Sequence, residues 1–224
     1  MKRVLFVTAT DTGAGKTVLS SLLVQYLRET GRSVMAFKPL CSGGRDDARA
    51  LHAALGETVS LEAINPWHFR APLAPLLAAR REKKRVTLAQ VLAHIRTHRQ
   101  NCETILVEGA GGLLSPLGQR FNSRDLIVAL RARPLVVVPN KLGVVNHLLL
   151  TLAALPPASR SQAQIILMSP PKTDLATDTN LSLIRELLPR QPIYVFPWLG
   201  PEFNPQAALK LPSVRRVLKA LAAA

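Results

Sequence analysis

Six short aliphatic runs interleaved with segments of helical periodicity constrain this chain more than any other feature of it. The runs are Lys2 to Thr8, Ser33 to Pro39, Thr104 to Val107, Leu135 to Val138, Gln164 to Met168 and Pro192 to Phe196. Their residues are apolar at consecutive positions, so neither face of such a strand can meet water. Between them, Thr17 to Thr30, Asp47 to Leu55, Thr87 to Arg99, Arg124 to Ala132, Asn146 to Ala154 and Thr179 to Leu188 carry apolar residues at helical spacing. Gly31 and Gly56 stand as stop signals, and Thr87 as an N-cap. Buried strands alternating with helices predict an α/β fold: a mostly parallel central sheet with helices on both faces. In such a sheet the ligand lies beyond the carboxyl ends of the strands. The loops Thr8 to Lys16, Lys38 to Asp47, Glu108 to Ser115, Asn140 to Asn146 and Met168 to Asp174 should therefore share one rim.

Composition narrows the class further. Hydrophobic residues make up 48% of the 224 and charged residues 19%, which excludes a disordered chain, and only 4% are aromatic, so the core must be aliphatic. No repeat, linker or composition shift divides the sequence, and residues 1–224 read as one domain. The apolar runs are strand-length, far short of the roughly 20 residues of a membrane helix. Met1-Lys2-Arg3 leads straight into Val-Leu-Phe-Val without the features of a secretory leader, so the expected location is cytoplasmic. Cys41 and Cys102 are too few and too isolated for a zinc site or disulfide framework and read as reduced thiols. Lys and Arg number 29 against 14 Asp and Glu, a net charge of +15 that would suit nucleic acid or anionic lipid. Its densest run, Arg80-Arg81-Glu82-Lys83-Lys84-Arg85, has no interleaved aromatics; a solvated turn or helix end is the favoured reading, a polyanion contact the other.

Chemistry concentrates on the expected rim. Thr10-Asp11-Thr12-Gly13-Ala14-Gly15-Lys16-Thr17 lies between strand and helix, the setting in which backbone N–H groups and a helix N-terminus wrap phosphates. Lys16 can there reach the terminal phosphates and the Thr17 hydroxyl can bind magnesium. Glu108 closes an apolar strand, the position of a magnesium-linked carboxylate or of a buried structural one. Lys38 ends the second strand, where it is either a surface lysine or, in the favoured reading, a cation on the rim that offsets charge on a transferring phosphoryl group. Gly143 to Asn146 opens a helix whose free N–H groups suit either a carboxylate or a simple cap. His147 has no orienting carboxylate nearby in sequence and reads as a supporting histidine.

These residues carry a resemblance. Thr-Asp-Thr-x-x-Gly-Lys-Thr, Phe37-Lys38-Pro39 with Ser42-Gly43, Asn65-Pro66-Trp67-His68-Phe69 with Pro72 and Pro75, Val107-Glu108-Gly109-Ala110-Gly111-Gly112, Lys141-Leu142-Gly143-Val144-Val145-Asn146-His147 and Pro197-Trp198-Leu199 occur in the order and spacing of the dethiobiotin synthetases. The chain resembles that family from residue 3 to about residue 200. The resemblance implies a single-domain phosphate-loop NTPase-like fold and the penultimate step of biotin synthesis. There 7,8-diaminononanoate takes up CO2 as a carbamate, ATP with Mg2+ phosphorylates it, and the second amine closes the ureido ring. By position, Lys16, Lys38 and Thr12 would be catalytic, and Thr17, Asp47 and Glu108 would surround magnesium. Nucleotide would lie against Asp11, Thr12, Gly13, Ala14, Gly15, Lys16, Thr17, Val18, Glu108, Ser169, Pro197, Trp198 and Leu199. Substrate would meet Thr12, Lys38, Ser42, Gly111 and Asn180, with Gly143, Val144, Val145 and Asn146 supplied by the partner subunit of a homodimer. Three positions depart from the pattern. Ala9 replaces a glycine, Leu76 a polar residue, and Ser169 an asparagine that reads adenine by two hydrogen bonds. A single hydroxyl cannot make that bidentate contact, so the expected preference for ATP over other nucleoside triphosphates is loose. A partition or division-site ATPase working with its basic surface on DNA or membrane is the alternative. Those proteins carry a lysine early in the loop, where Thr and Asp stand here, and membrane forms end in an amphipathic anchor. The basic tail Val214 to Ala224 keeps a weak surface contact open.

Overall fold

The computed structural model describes residues 3–99, 102–201 and 203–223; Lys2, where the first strand was expected to begin, and Ala224, the end of the basic tail, lie outside them. The chain runs β1 (Arg3–Ala9), α1 (Lys16–Glu29), β2 (Val34–Phe37), β3 (Leu40–Ser42), α2 (Asp46–Ala54), α3 (Leu61–Ile64), β4 (Trp67–Phe69), α4 (Pro75–Arg81), α5 (Leu88–His98) and β5 (Thr104–Glu108). It continues through β6 (Pro116–Gly118), β7 (Phe121–Asn122), α6 (Ser123–Leu130), β8 (Arg133–Pro139), α7 (Val144–Ala154), α8 (Pro157–Ser161), β9 (Gln164–Met168), α9 (Leu175–Leu187), β10 (Ile193–Phe196), α10 (Pro205–Ala208) and α11 (Pro212–Ala223).

All six expected strands form one sheet in the order β10-β9-β8-β1-β5-β2, and each pairing within it is parallel. Every residue of β2 and β5 is buried, as are the five middle residues of β8. Burial at consecutive positions requires cover on both faces, which the helices supply. α1 packs on α2 and α11, α5 on α6, and α7 on α9. The core is aliphatic as composition demanded, with Phe6, Phe37, Phe69 and Phe196 its fully buried aromatic side chains.

β1 lies in the middle. From it the chain first builds β2 and β5 to one side, then crosses over to β8, β9 and β10 on the other. The loops that diverge from the carboxyl ends of β1 and its neighbours open the crevice in which α/β sheets hold ligands. Helix ends follow local chemistry: Thr87, Asn122 and Asp174 each form a reciprocal capping box. α9 starts at Leu175, a turn before the expected Thr179, because the Asp174 and Thr177 box nucleates it there. The paired strands β3 and β4 and the hairpin β6–β7 were not foreseen, being two or three residues each. Among the described residues no helix is long and apolar enough to cross a membrane.

Candidate active site

The phosphate loop begins where β1 ends. The Thr10 N–H donates to Val137 O at 3.2 Å, tying the loop to the neighbouring strand. Gly13 and Gly15 take left-handed φ of 71° and 95°, values that side chains resist. Gly15 is also the N-cap of α1 and offers it no side-chain acceptor, and no acidic residue lies in the first turn. The first N–H groups of the 14-residue helix are thus left to an outside anion, with the helix dipole behind them. A side chain at Gly15 would also meet Met168, whose Cε lies 2.9 Å from the ideal Cβ position. The end of β9 therefore braces the loop.

Lys16 is 7% exposed with its Nζ 3.5 Å from Asp11 O. Burial first, and the positive charge of Lys38 second, bring its pKa down to about 8. The negative charge of an arriving polyphosphate would offset both.

Beneath the loop, four side chains converge, from α1, from the residue that follows β2, from α2 and from the end of β5. Lys38 Nζ lies 2.7 Å from Glu108 Oε1, 2.7 Å from Asp47 Oδ2 and 2.9 Å from Gly109 O. Thr17 Oγ1 lies 2.8 Å from Asp47 Oδ1 and 2.9 Å from Glu108 Oε1. Lys38 and Glu108 are buried, while Asp47 is half-exposed. Burial alone would depress the Lys38 pKa, but the Glu108 and Asp47 charges overcome it and hold the ammonium above its ordinary value. Burial opposes ionisation of Asp47 as well, yet Lys38, Thr17 and Lys16 together bring its pKa below the ordinary carboxylate value.

Donors and acceptors here do not balance. Thr17 has one hydroxyl proton for two carboxylate oxygens, and Glu108 Oε2 is buried with no hydrogen-bond partner. Lys38 alone contacts the two carboxylates directly, with Lys16 farther off. An all-oxygen set with an unpartnered buried carboxylate oxygen fits a divalent hard cation that would complete its shell with phosphate and water, as magnesium does.

A cleft of about 660 Å³ joins these parts. Of the expected site residues, Thr12, Gly13, Ala14, Gly15, Lys16, Thr17, Val18, Lys38, Ser42, Asp47 and Gly111 line it, and Glu108 touches it through Thr17 and Lys38. Asp11 sits exposed on the outer turn of the loop and caps the Thr12 N–H. Ser169 follows β9, its N–H donating to Phe196 O at 2.8 Å, and Pro197, Trp198 and Leu199 follow β10; these four do not line the cleft. Gly143 to Asn146 open α7 and do not line the cleft. Asn180 is buried on α9, its Nδ2 donating to Asn140 Oδ1 at 2.9 Å and Lys141 O at 3.2 Å, so it braces the loop ahead of α7.

Sequence reasoning did not assign the apolar wall opposite the phosphate loop, Leu40 and Cys41 on β3 with Pro72, Leu73, Ala74 and Pro75. Pro72 and Pro75 were the available signal. Ser42 Oγ donates to Leu73 O and joins the two halves of that wall. Burial pushes the Cys41 thiol up to about 11.

Known proteins fit this arrangement. A family model described as an AAA domain matches residues 3–205. The ATP-dependent dethiobiotin synthetase BioD of Anaeromyxobacter dehalogenans (strain 2CP-C) is 42% identical over 201 residues, covering 88% of this chain and 90% of that protein. The protein of the same name from Bacillus subtilis (strain 168) is 41% identical over 154 residues, covering 66% and 67%. Among solved structures, the MinC:MinD cell division complex of Aquifex aeolicus superposes with TM-score 0.60 at 15% identity, over 99% of this chain and 96% of that one. A ParA family ATPase from Chlorobium tepidum TLS gives TM-score 0.52 at 16% identity, over 100% and 92%. These two likenesses concern the fold alone. The relatives that share both sequence and length decide the question: this chain belongs to the dethiobiotin synthetase family.

Proposed function

We propose that this protein is an ATP-dependent dethiobiotin synthetase of the cytoplasm, closing the ureido ring on 7,8-diaminononanoate with CO2 drawn from bicarbonate. The observation that carries the reading is the Thr17, Lys38, Asp47 and Glu108 cluster set beneath the phosphate loop in one cleft.

One amine of the diamine takes up CO2 as a carbamate. A carbamate oxygen attacks the γ-phosphorus and ADP leaves; the second amine then attacks the carbonyl carbon, and phosphate leaves as the ring closes. Such a route needs charge compensation and positioning more than a protein nucleophile. The N–H groups around Gly13 and Gly15 cradle the phosphates, and Lys16, poorly solvated without them, becomes fully cationic against them. Lys38, kept charged by its two carboxylates, offsets the negative charge shared by the carbamate and the γ-phosphoryl group. Thr12 and Ser42 position the diamine, whose alkyl chain suits the wall of Leu40, Pro72 and Leu73. Thr17, Asp47 and Glu108 would hold a magnesium ion, which supplies further neutralisation at the terminal phosphates.

The working unit in this reading is a homodimer. Gly143 to Asn146 lie outside their own cleft, while beside and along α7 Leu142 is 81% and Leu150 61% exposed. Apolar surface of that kind suits a second copy. Across it the free N–H groups at the start of α7 would receive the substrate carboxylate.

Oxygen-18 tests the route. With carbon dioxide carrying oxygen-18 at both oxygens, consumed faster than it exchanges with water, one label should pass from the carbamate into the released phosphate for each dethiobiotin formed. Ring closure with unlabelled phosphate would overturn the phosphorylated-carbamate step.

A further inference from the structure

The basic run from Arg80 to Arg85 is not absorbed by the reaction. α4 walls two cavities: Pro75 at its start faces the phosphate-loop cleft, while Leu76, Ala79 and Arg80 face a second cavity of about 270 Å³. Lys83, Lys84, Arg85 and Val86 close one side of it, and Gly118 and Gln119 of the hairpin the other.

A solvated charge run would leave its backbone loose and its cations splayed. This one is pinned at three points. The helix end closes with Lys83 N donating to Arg80 O at 3.0 Å and Lys84 N to Ala79 O at 2.8 Å, with Lys83 itself in the left-handed region at φ 53°. Gln119 N donates to Val86 O at 2.8 Å, fastening the run to the hairpin. Glu82 accepts from the Arg70 N–H at 2.7 Å and from Lys84 Nζ at 2.9 Å.

Glu82 is the only acidic residue between Glu62 and Glu103, and its carboxylate is committed to Lys84 and Arg70. Arg80, Lys83 and Arg85 are left around one concavity with no ion-pair partner among the described residues. Three like charges gathered on a rigid frame repel one another unless an anion sits between them. Leu76, Ala79 and Val86 give the cavity an apolar floor, which lowers the local dielectric and strengthens any charge-assisted bond made there.

We propose that this cavity is a second anion site, built for a compact compound carrying two or more linked phosphates. Arginine guanidinium groups bind phosphate oxygens in pairs, and Lys83 adds a point charge in the same cavity. The concave shape favours a compact anion over a nucleic-acid strand, and no aromatic residue lines the cavity to stack a base.

Inorganic tripolyphosphate is the probe, titrated calorimetrically into the intact protein with the phosphate loop blocked by a saturating non-hydrolysable ATP analogue and no added magnesium, which the probe would chelate. One further saturable site per chain is expected. It should weaken at least about tenfold in the exposed double variant Lys83→Ala, Arg85→Ala, and should weaken again with added salt. Thermal melting checks that the variant folds. An unchanged isotherm in the variant, or uptake that never saturates, overturns the site. A short single-stranded oligonucleotide that displaces tripolyphosphate and binds more tightly through the same residues overturns it too, because the face would then belong to nucleic acid.

Discussion

Removing the Lys38 ammonium while keeping its length, as in Lys38→Met, isolates what the buried charge cluster contributes to the fold. The lysine is 2% exposed and the Glu108 side chain 0%, while Asp47 is 47% exposed. Losing one partner of a buried pair costs about 3–5 kcal/mol, because the other charge remains unsolvated. The Asp47 arm is screened by water and counts as a surface pair, below about 1 kcal/mol. The loss should therefore be dominated by Glu108 and amount to about 3–4 kcal/mol at neutral pH without magnesium. Against a total stability of about 5–15 kcal/mol that is a large fraction, visible as a lower urea midpoint at unchanged slope. Two further arms identify the cause. Magnesium should restore stability to Lys38→Met more than to the parent protein, since a cation replaces the missing charge. The pair Lys38→Met with Glu108→Leu should be more stable than Lys38→Met alone, because no charge is left stranded. A single variant within about 0.5 kcal/mol of the parent protein, or a double variant no better than the single, would show that Glu108 is not left stranded by the loss of Lys38.

Three other predictions rest on separate observations. Gly15→Ala should abolish nucleotide binding and cost about 1–3 kcal/mol through the left-handed φ of 95° and the Met168 contact. Adding Met168→Ala should recover the contact share in a melting assay and leave binding lost. His94 is held below its ordinary pKa by burial first and by the neighbouring His98 charge, against the opposing bond to Ala63 O. An imidazole so depressed takes its proton first in the unfolded chain, so its stabilisation is complete above pH 6.5 and is lost as pH falls below that value. The melting temperature should drop more steeply from pH 7 to 5 in the parent protein than in His94→Gln; parallel curves would exclude the histidine. Ser169, the expected partner of the nucleotide's base, offers one hydroxyl beside two prolines that have no N–H. ATP, GTP and CTP should support turnover within about tenfold of one another, because the missing bidentate contact is worth about 1–3 kcal/mol. Ser169→Asn should sharpen the preference for ATP; a sharp preference already in the parent protein sinks the argument.

What the sequence made legible follows from how each element is stabilised. β5 and β8 announce themselves because strands buried on both faces are apolar at every position. Glu108 stands out because it breaks such a run at its carboxyl end, and Lys38 does the same after Val-Met-Ala-Phe. The phosphate loop needs only local glycines and the helix behind it. By contrast, β3 and β4 are three residues each and are held by one another across more than twenty intervening residues, so no periodicity reveals them. With them went the wall of Leu40, Cys41 and Leu73. Nor could local sequence show that Asn180 is turned inward onto Asn140, since that contact depends on how α9 docks. The start of α7 was placed at Asn146 rather than Val144 because the cap is the left-handed backbone of Gly143, not a side chain. The basic run illustrates the opposite limit: its helix-end position was foreseen, but its cavity depends on a hairpin more than thirty residues away.

Most direct for the account as a whole is turnover of 7,8-diaminononanoate with carbon-13 bicarbonate, magnesium and ATP, reading dethiobiotin by mass alongside ADP. Equal amounts of ADP and singly labelled dethiobiotin are predicted, with product reduced at least about a hundredfold in Lys16→Ala, which removes one transition-state charge contact. ATP hydrolysed without dethiobiotin, or product undiminished in Lys16→Ala, would mean that this cleft does not close the ureido ring.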